Sequence, residues 1–486
     1  MKQKLLYFFC GVLIACFPLM NIFFKVFRGV SVSFAHFFEK RAPFPFHIPP
    51  LFQKYIHFYL TDFLIVALLI AALFLKEFRL KELLFNRHSK YLTLYVGAAL
   101  LSISLSLFSS YFTQYISILN LLIAFMGFHL VYLLLQKRSD LIRPIFWAFI
   151  CVAILESFIG IGQFLYQQSL GLTFLSEPQV TPYMYNIASY PLNEKSRAFF
   201  NLLPWIPDDH HLILRSLGTF DHPNIFGGYL TIALFIAYAL LMTTQKRRYR
   251  ALLLVAIPLF ILTLGLTFSR GPIFAWLVGT LLFIITGWLR WETFASHEKK
   301  GLMLLSIIVG IGCIASLGLL FEQFLSRGGF FNYNALAASS DSSRIVLYKV
   351  ALTLFKTHPI LGIGFNGYPL FPYGLLDPTF EGANEIGAHA HNIYLQIASE
   401  TGLVGLVFFG LFLYSLFRLV RKSKATPITL ALGAIVASFL LLGLVDHYLW
   451  TYNSGRMMFF LFTALFASAL SSVPQMTGNS LEIKRL

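Results

Sequence analysis

Charge is scarce in this sequence: Asp, Glu, Lys and Arg make up 12% of the 486 residues, where a soluble domain carries about 25%. That deficit excludes a water-facing surface over most of the chain. Cysteine is scarce too, and Cys10, Cys16, Cys151 and Cys313 all fall in apolar stretches without metal-ligand spacing, so no disulfide framework is expected. No Gly-x-x-x-x-Gly-Lys-Ser/Thr loop is present, which argues against nucleotide hydrolysis. Nor is there an Asp-x-Asp pair, the usual means of holding a divalent metal against a nucleotide-sugar diphosphate. Fixed-period repeats and low-complexity tracts are also missing, so the chain reads as a single domain.

What is abundant is apolar: 57% of residues are hydrophobic and 17% aromatic. Apolar runs near the roughly 20 residues needed to cross a bilayer recur along nearly the whole chain, and backbone groups in lipid must be satisfied within helices or a barrel. Runs of this length predict an all-α integral membrane protein of about twelve helices, with spans near 5–24, 57–75, 91–110, 116–136, 144–167, 224–243, 251–268, 272–289, 301–320, 401–420, 428–446 and 457–474. The net charge of +16 is explained by topology, because alternate connectors gather about 23 of the 37 Lys and Arg against about 6 acids. Those connectors are expected to be cytoplasmic, which puts both termini on the cytoplasmic side of the membrane.

Two insertions on the opposite side interrupt the helical pattern, at 168–223 and 321–390. The first is rich in Pro, Tyr and Asn, carries Asp208-Asp209-His210-His211, and ends in a Pro-Asn pair suited to a helix start. In the second, a short helix is expected over Ser342–Thr357, with Asp341 as its N-cap and His358-Pro359 as its stop. Arg344 would then sit in the first turn, where free N–H groups and the macrodipole already favour phosphate.

Arg270 stands at the outer junction of the seventh and eighth spans, where a guanidinium is costly unless it is paired or lines a polar cavity. With Arg344 it could clamp a diphosphate; the alternatives are that Arg270 snorkels to headgroups and Arg344 pairs with Asp341 or Glu322. Arg215 is a third candidate cation, with a surface position near Asp221 as the alternative. His389 and His391 stand at the outer mouth of a span, where a neutral imidazole can take a proton from a hydroxyl. The His-x-His spacing also permits a metal site with the other outer histidines and aspartates, although no closed ligand pattern appears. Glu156 and Asp62 either line a cavity or face a neighbouring helix.

Taken in order, Arg215-x-x-Gly-Thr-Phe-x-x-Pro-Asn224, Ser269-Arg-Gly271, Ser343-Arg344, His358-Pro-x-x-Gly-x-Gly364, His389-x-His-Asn-x-Tyr-Leu-Gln396 and Glu400-x-Gly402 form a set. Over about Arg215 to Gly405 the chain resembles the O-antigen ligase and O-antigen polymerase superfamily of bacterial envelope glycan transferases. The resemblance implies a GT-C-like, metal-independent inverting transferase without cofactor. Such an enzyme moves a glycan from undecaprenyl diphosphate to an acceptor hydroxyl, on a lipid A core for a ligase or on another repeat unit for a polymerase. By position, Arg270 and Arg344 would hold the diphosphate and His391 would orient or deprotonate the acceptor. Arg215, His389, Asn392, Tyr394 and Lys349 are candidate substrate-binding residues. A transporter or lipid flippase is the rival class, but it would show an internal duplication and a midplane site.

Overall fold

The structure, a computed structural model, describes residues 2–17, 59–79, 81–82, 89–105, 112–175, 177–182, 189–191, 212–326, 335–371 and 388–472. Its helices are α1 (Lys2–Cys16), α2 (Leu60–Phe74), α3 (Lys90–Ser104), α4 (Phe112–Lys137), α5 (Ile142–Tyr166), α6 (Pro223–Thr243) and α7 (Arg247–Leu266). They continue with α8 (Arg270–Leu289), α9 (Ser296–Ser326), α10 (Ala335–Thr357), α11 (Ile393–Lys422), α12 (Pro427–Val445), the one-turn α13 (Tyr448–Thr451) and α14 (Asn453–Ser472). Among the described residues eight of these, α4 to α8, α11, α12 and α14, are long and apolar enough to cross a membrane, and α2 and α3 are shorter apolar helices. With α1 and α9 they occupy the positions expected of the twelve spans. The fold is therefore that of an all-α membrane protein, decorated by one antiparallel ladder of β1 (Ser189–Pro191) and β2 (Leu212–Leu214) in the first insertion.

Helix α6 is the axis of the bundle: it carries no charged residue, and every side chain from Ile225 to Met242 is buried. Around it pack α5, α7, α8, α9 and α12. With lipid as solvent, close helix contact depends on small residues that let backbones approach. A Cβ at Gly227 would lie 2.8 Å from Pro272 near the start of α8, and one at Gly228 would collide with the Tyr448 hydroxyl. These two glycines thus draw the first turn of α8 and the α12–α13 junction onto the second turn of α6.

Helix α11 starts eight residues before the expected tenth span and is broken at Gly402, whose backbone is left-handed (φ 63°). The turn after α10 fills the break: Leu403 and Val404 N–H donate to the Pro359 and Ile360 carbonyls, and Ile363 and Gly364 N–H donate to those of Ser399 and Glu400. A Cβ at Gly402 would collide with the Ile360 backbone, so only glycine permits this graft. The break serves to lock the second insertion to α11.

One local expectation is corrected. Helix α10 begins at Ala335 and not at Ser342, so Asp341 lies inside the helix and is not its N-cap, and Arg344 lies in the third turn. The run Ala335-Leu-Ala-Ala338 consists of strong helix formers and extends the helix past the capping signal. Arg344 therefore gains nothing from a helix N-terminus. The stop at Thr357 before His358-Pro359 is as expected.

Candidate functional site

His391 is the first residue to consider because its backbone is strained, with φ 47° for a non-glycine residue. Such a conformation costs about 1–3 kcal/mol and persists only where surrounding contacts fix it. Those contacts are present. The Asn392 side chain caps α11 by accepting from Leu395 N–H (2.9 Å) and donates to the Leu444 carbonyl at the end of α12 (3.0 Å). From α10 the Tyr348 hydroxyl donates to the His391 carbonyl (3.3 Å). Three helices therefore aim one imidazole.

That imidazole faces Asp446, with His391 Nδ1 3.8 Å from Oδ1 and no hydrogen-bond partner of its own. Asp446 closes α12 and is held on both oxygens: Oδ1 accepts from His447 N–H (2.8 Å) and Oδ2 from Asn224 Nδ2 (2.6 Å). Asn224 in turn accepts from Arg215 Nη2 (3.2 Å), whose guanidinium also donates to the Thr267 carbonyl (2.7 Å) and to Ser269 Oγ (2.9 Å). A continuous polar chain runs from Arg215 through Asn224 and Asp446 to His391. Helix α5 fixes its far end, since Glu156 accepts from Thr219 N–H and Oγ1 (2.9 and 2.7 Å) and Gln163 Oε1 accepts from Leu217 and Gly218 N–H.

His447 links the two histidines of the sequence motif, with ring centroids 4.6 Å from both His389 and His391. Its Nδ1 is bonded to Thr451 Oγ1 (2.6 Å). His389 Nδ1 meets Gln396 Nε2 (3.0 Å), which also donates to Glu400 Oε1 (3.0 Å).

The arginines approach from two sides. Arg270 is the first residue of α8, following the Ser269 that bonds Arg215, and the adjoining Gly271 lies against Leu442 and Val445 just before Asp446. Arg344 and Tyr348 share one face of α10, four residues apart. Through that face the Arg344 charge reaches both His391 and His447. The Arg344 charge thus borders the Asp446–His447 junction, and the backbone of α8 just after Arg270 lies against the last turn of α12.

The other candidates are placed differently. Arg215 is only 3% exposed and donates to Thr267, Ser269 and Asn224, so it braces the site from beneath. The Tyr394 hydroxyl donates to the Leu440 carbonyl, tying α11 to α12. Lys349 is exposed, about 100° around α10 from Tyr348. Asp62 accepts from Tyr59 N–H (2.7 Å) at the start of α2. Asp208, Asp209, His210 and His211 lie outside the described residues, as does the side chain of Glu322.

Electrostatics keep the imidazoles neutral at pH 7. His389 is pushed down to about 3 by burial and by His391, against the Gln396 hydrogen bond. Burial lowers His391, Asp446 pulls it back up, and Arg344 pushes it down again. Burial and the surrounding His389, His391, His222 and Arg344 hold His447 well below the usual histidine range. A neutral His391 with a carboxylate behind it can accept a proton, because Asp446 stabilises the imidazolium that forms.

Among the described residues His391, Asp446 and His447 could also hold a metal ion, with ligand atoms within 4.8 Å of one another. Two features oppose a dication: both Asp446 oxygens already accept hydrogen bonds, and the Arg344 charge is close.

Sequence reasoning missed Asp446, His447 and the bracing role of Asn224. A signal for the first pair was available: an acid ending an otherwise apolar span is a functional candidate by default, because charge at membrane depth is expensive. No spacing rule, however, joins residue 446 to residue 391.

The fold and site together define a multi-pass membrane protein with a histidine–carboxylate pair, near the charge of Arg344, at one end of a helical bundle. Residues 255–410, from within α7 to within α11, match the model of a family described as O-antigen ligase. The chain is 23% identical over 228 residues to a protein of Rickettsia felis provisionally named polysaccharide ligase, covering 46% of this chain and 52% of that one. A similarly named Rickettsia conorii protein is 23% identical over 225 residues, 46% of this chain and 51% of its own length. The match thus spans about half the length of each of these relatives. This part of the chain is thus similar to the O-antigen ligase superfamily, the one its motifs resemble. His391, Arg344 and Arg270 lie inside the matched segment; Arg215, Asn224, Asp446 and His447 lie outside it.

Proposed function

We propose that this protein is a metal-independent inverting glycan transferase, which moves a glycan from undecaprenyl diphosphate to an acceptor hydroxyl on the outer side of the bacterial inner membrane, both of its termini being cytoplasmic. The observation that carries the reading is the pairing of a neutral, backbone-strained His391 with Asp446 within reach of the Arg344 charge. In the reaction the acceptor oxygen attacks the anomeric carbon and its proton passes to His391. The bond from the anomeric carbon to the diphosphate oxygen breaks on the opposite face, inverting the centre, and its electron pair leaves with the lipid diphosphate. Arg270 and Arg344 neutralise the charge that develops there, the contribution that typically dominates such catalysis. The departing lipid diphosphate supplies the driving force, so no nucleotide is consumed.

Purified protein supplied with an undecaprenyl diphosphate glycan, a lipid A core acceptor and a second lipid-linked repeat unit tests this directly. Transfer to the core identifies a ligase and chain extension a polymerase, each with an inverted linkage and with a chelator leaving the rate unchanged. Failure with both acceptors, coupled to movement of the lipid across the bilayer, would favour a flippase.

A further inference from the structure

At the opposite end of the bundle a groove opens between α1 and α5. Helix α5 spans the distance between the two ends: its N-terminal turns line the groove, while Gln167, just past its C-terminus, bonds Leu214 N–H beside Arg215. The groove encloses about 410 Å³, and its walls include Phe8, Gly11 and Val12 of α1 and Pro144, Ile145 and Ala148 of α5. That volume falls within the roughly 300–1,000 Å³ range of small-molecule sites. The walls are apolar, and the mouth carries two cations, Lys4 and Arg138.

Arg138 is held in place but retains spare donors. Its guanidinium lies over the Tyr7 ring, 5.5 Å from the centroid, and the buried Tyr7 hydroxyl donates to buried Glu77 (3.2 Å). Asp140 takes Nε–H and one Nη2–H (2.9 and 2.8 Å), leaving three of the five guanidinium N–H groups. The Arg138–Asp140 pair is exposed on both sides, so it screens the mouth only weakly.

We propose that this groove binds an anionic diacyl glycerophospholipid, with its phosphate between Lys4 and Arg138 and an acyl chain along the Phe8–Val12 face of α1. Charge complementarity selects the headgroup. A zwitterionic lipid would bring its own cation to a mouth that already holds two, whereas phosphatidylglycerol brings net negative charge. Basic pockets between membrane helices on the cytoplasmic side recognise anionic headgroups in this way, and both residues fall in connectors assigned to that side by their Lys and Arg content. The site is independent of the transfer reaction and lies a membrane thickness away from His391.

The test uses the full chain in detergent, loaded from equimolar phosphatidylglycerol and phosphatidylcholine, with retained lipid counted by native mass spectrometry. The expected result is selective retention of phosphatidylglycerol, with the Lys4→Gln/Arg138→Gln double variant lowering the phosphatidylglycerol-to-phosphatidylcholine ratio on the order of tenfold. Both side chains point to the groove mouth and not into the core, so the variant should fold, which its elution profile checks. A single-site variant at the half-buried Val12, Val12→Trp, fills the trough and should displace lipid with the charges intact. Equal retention of both lipids, an unchanged ratio in the double variant, or equal protection from thermal unfolding by glycerol phosphate without acyl chains would each overturn the proposal.

Discussion

Replacing Asp446 with Asn changes one charge at the centre of the polar chain while nearly preserving its shape. At 3.8 Å the carboxylate stabilises a protonated His391 by about 1 kcal/mol if water screens the pair fully, and by about 4 kcal/mol at the effective dielectric of a partly buried site. The His391 side chain is 31% exposed, so a value near 2 kcal/mol is appropriate, which corresponds to roughly a thirtyfold loss of kcat/KM. The pH profile should change with it. Neutral His391 is the working form, so activity rises as pH passes upward through its pKa and then levels off; removing the group that raises this pKa moves the rise to lower pH. Because Asn224 Nδ2 and His447 N–H both donate to Asp446, one of them will face the new amide N–H, and the thermal midpoint should drop as well. The assay is initial-rate transfer from a synthetic undecaprenyl diphosphate glycan across pH 5 to 8. A variant with the wild-type rate and an unmoved acid limb would refute the claim that Asp446 acts through His391.

Arg344→Ala and Arg270→Ala should each lower transfer by about 10²- to 10³-fold at unchanged protein level, since each removes charge stabilisation of the leaving diphosphate; normal turnover in either discards that arginine's role. Gly402→Ala should prevent stable folding, because it combines a left-handed backbone with collision against Ile360, and monodisperse elution of the variant would contradict the graft described for α11. Burial holds His389, His391 and His447 below their unfolded value of 6.5. Their stabilising effect is complete above pH 6.5 and is lost as pH falls below it, by up to about 1.4 kcal/mol per pH unit for each. A thermal midpoint equal at pH 7.5 and pH 5.5 would show that these imidazoles do not stay neutral.

The bundle itself was legible in the residues. Lipid leaves the backbone few options, so apolar runs of span length located the membrane helices without knowledge of their neighbours. The two glycines that follow Asn224 and the break at Gly402 were visible as letters, but what each glycine makes room for depends on residues distant in sequence. Capping signals misplaced the start of α10, where a strong helical run outweighed a good N-cap.

Sequence alone determined that histidine and arginine stand near the ends of spans, because charge is confined there by its cost in hydrocarbon. The tertiary structure decided their partners. Asp446 and Asn224 are 222 residues apart, and only the packing of α6 against α8, α12 and α13 brings them within 2.6 Å of each other and places the imidazole of His391 beside them. Periodicity describes which face of a helix is apolar; it carries no information about which helix that face will meet.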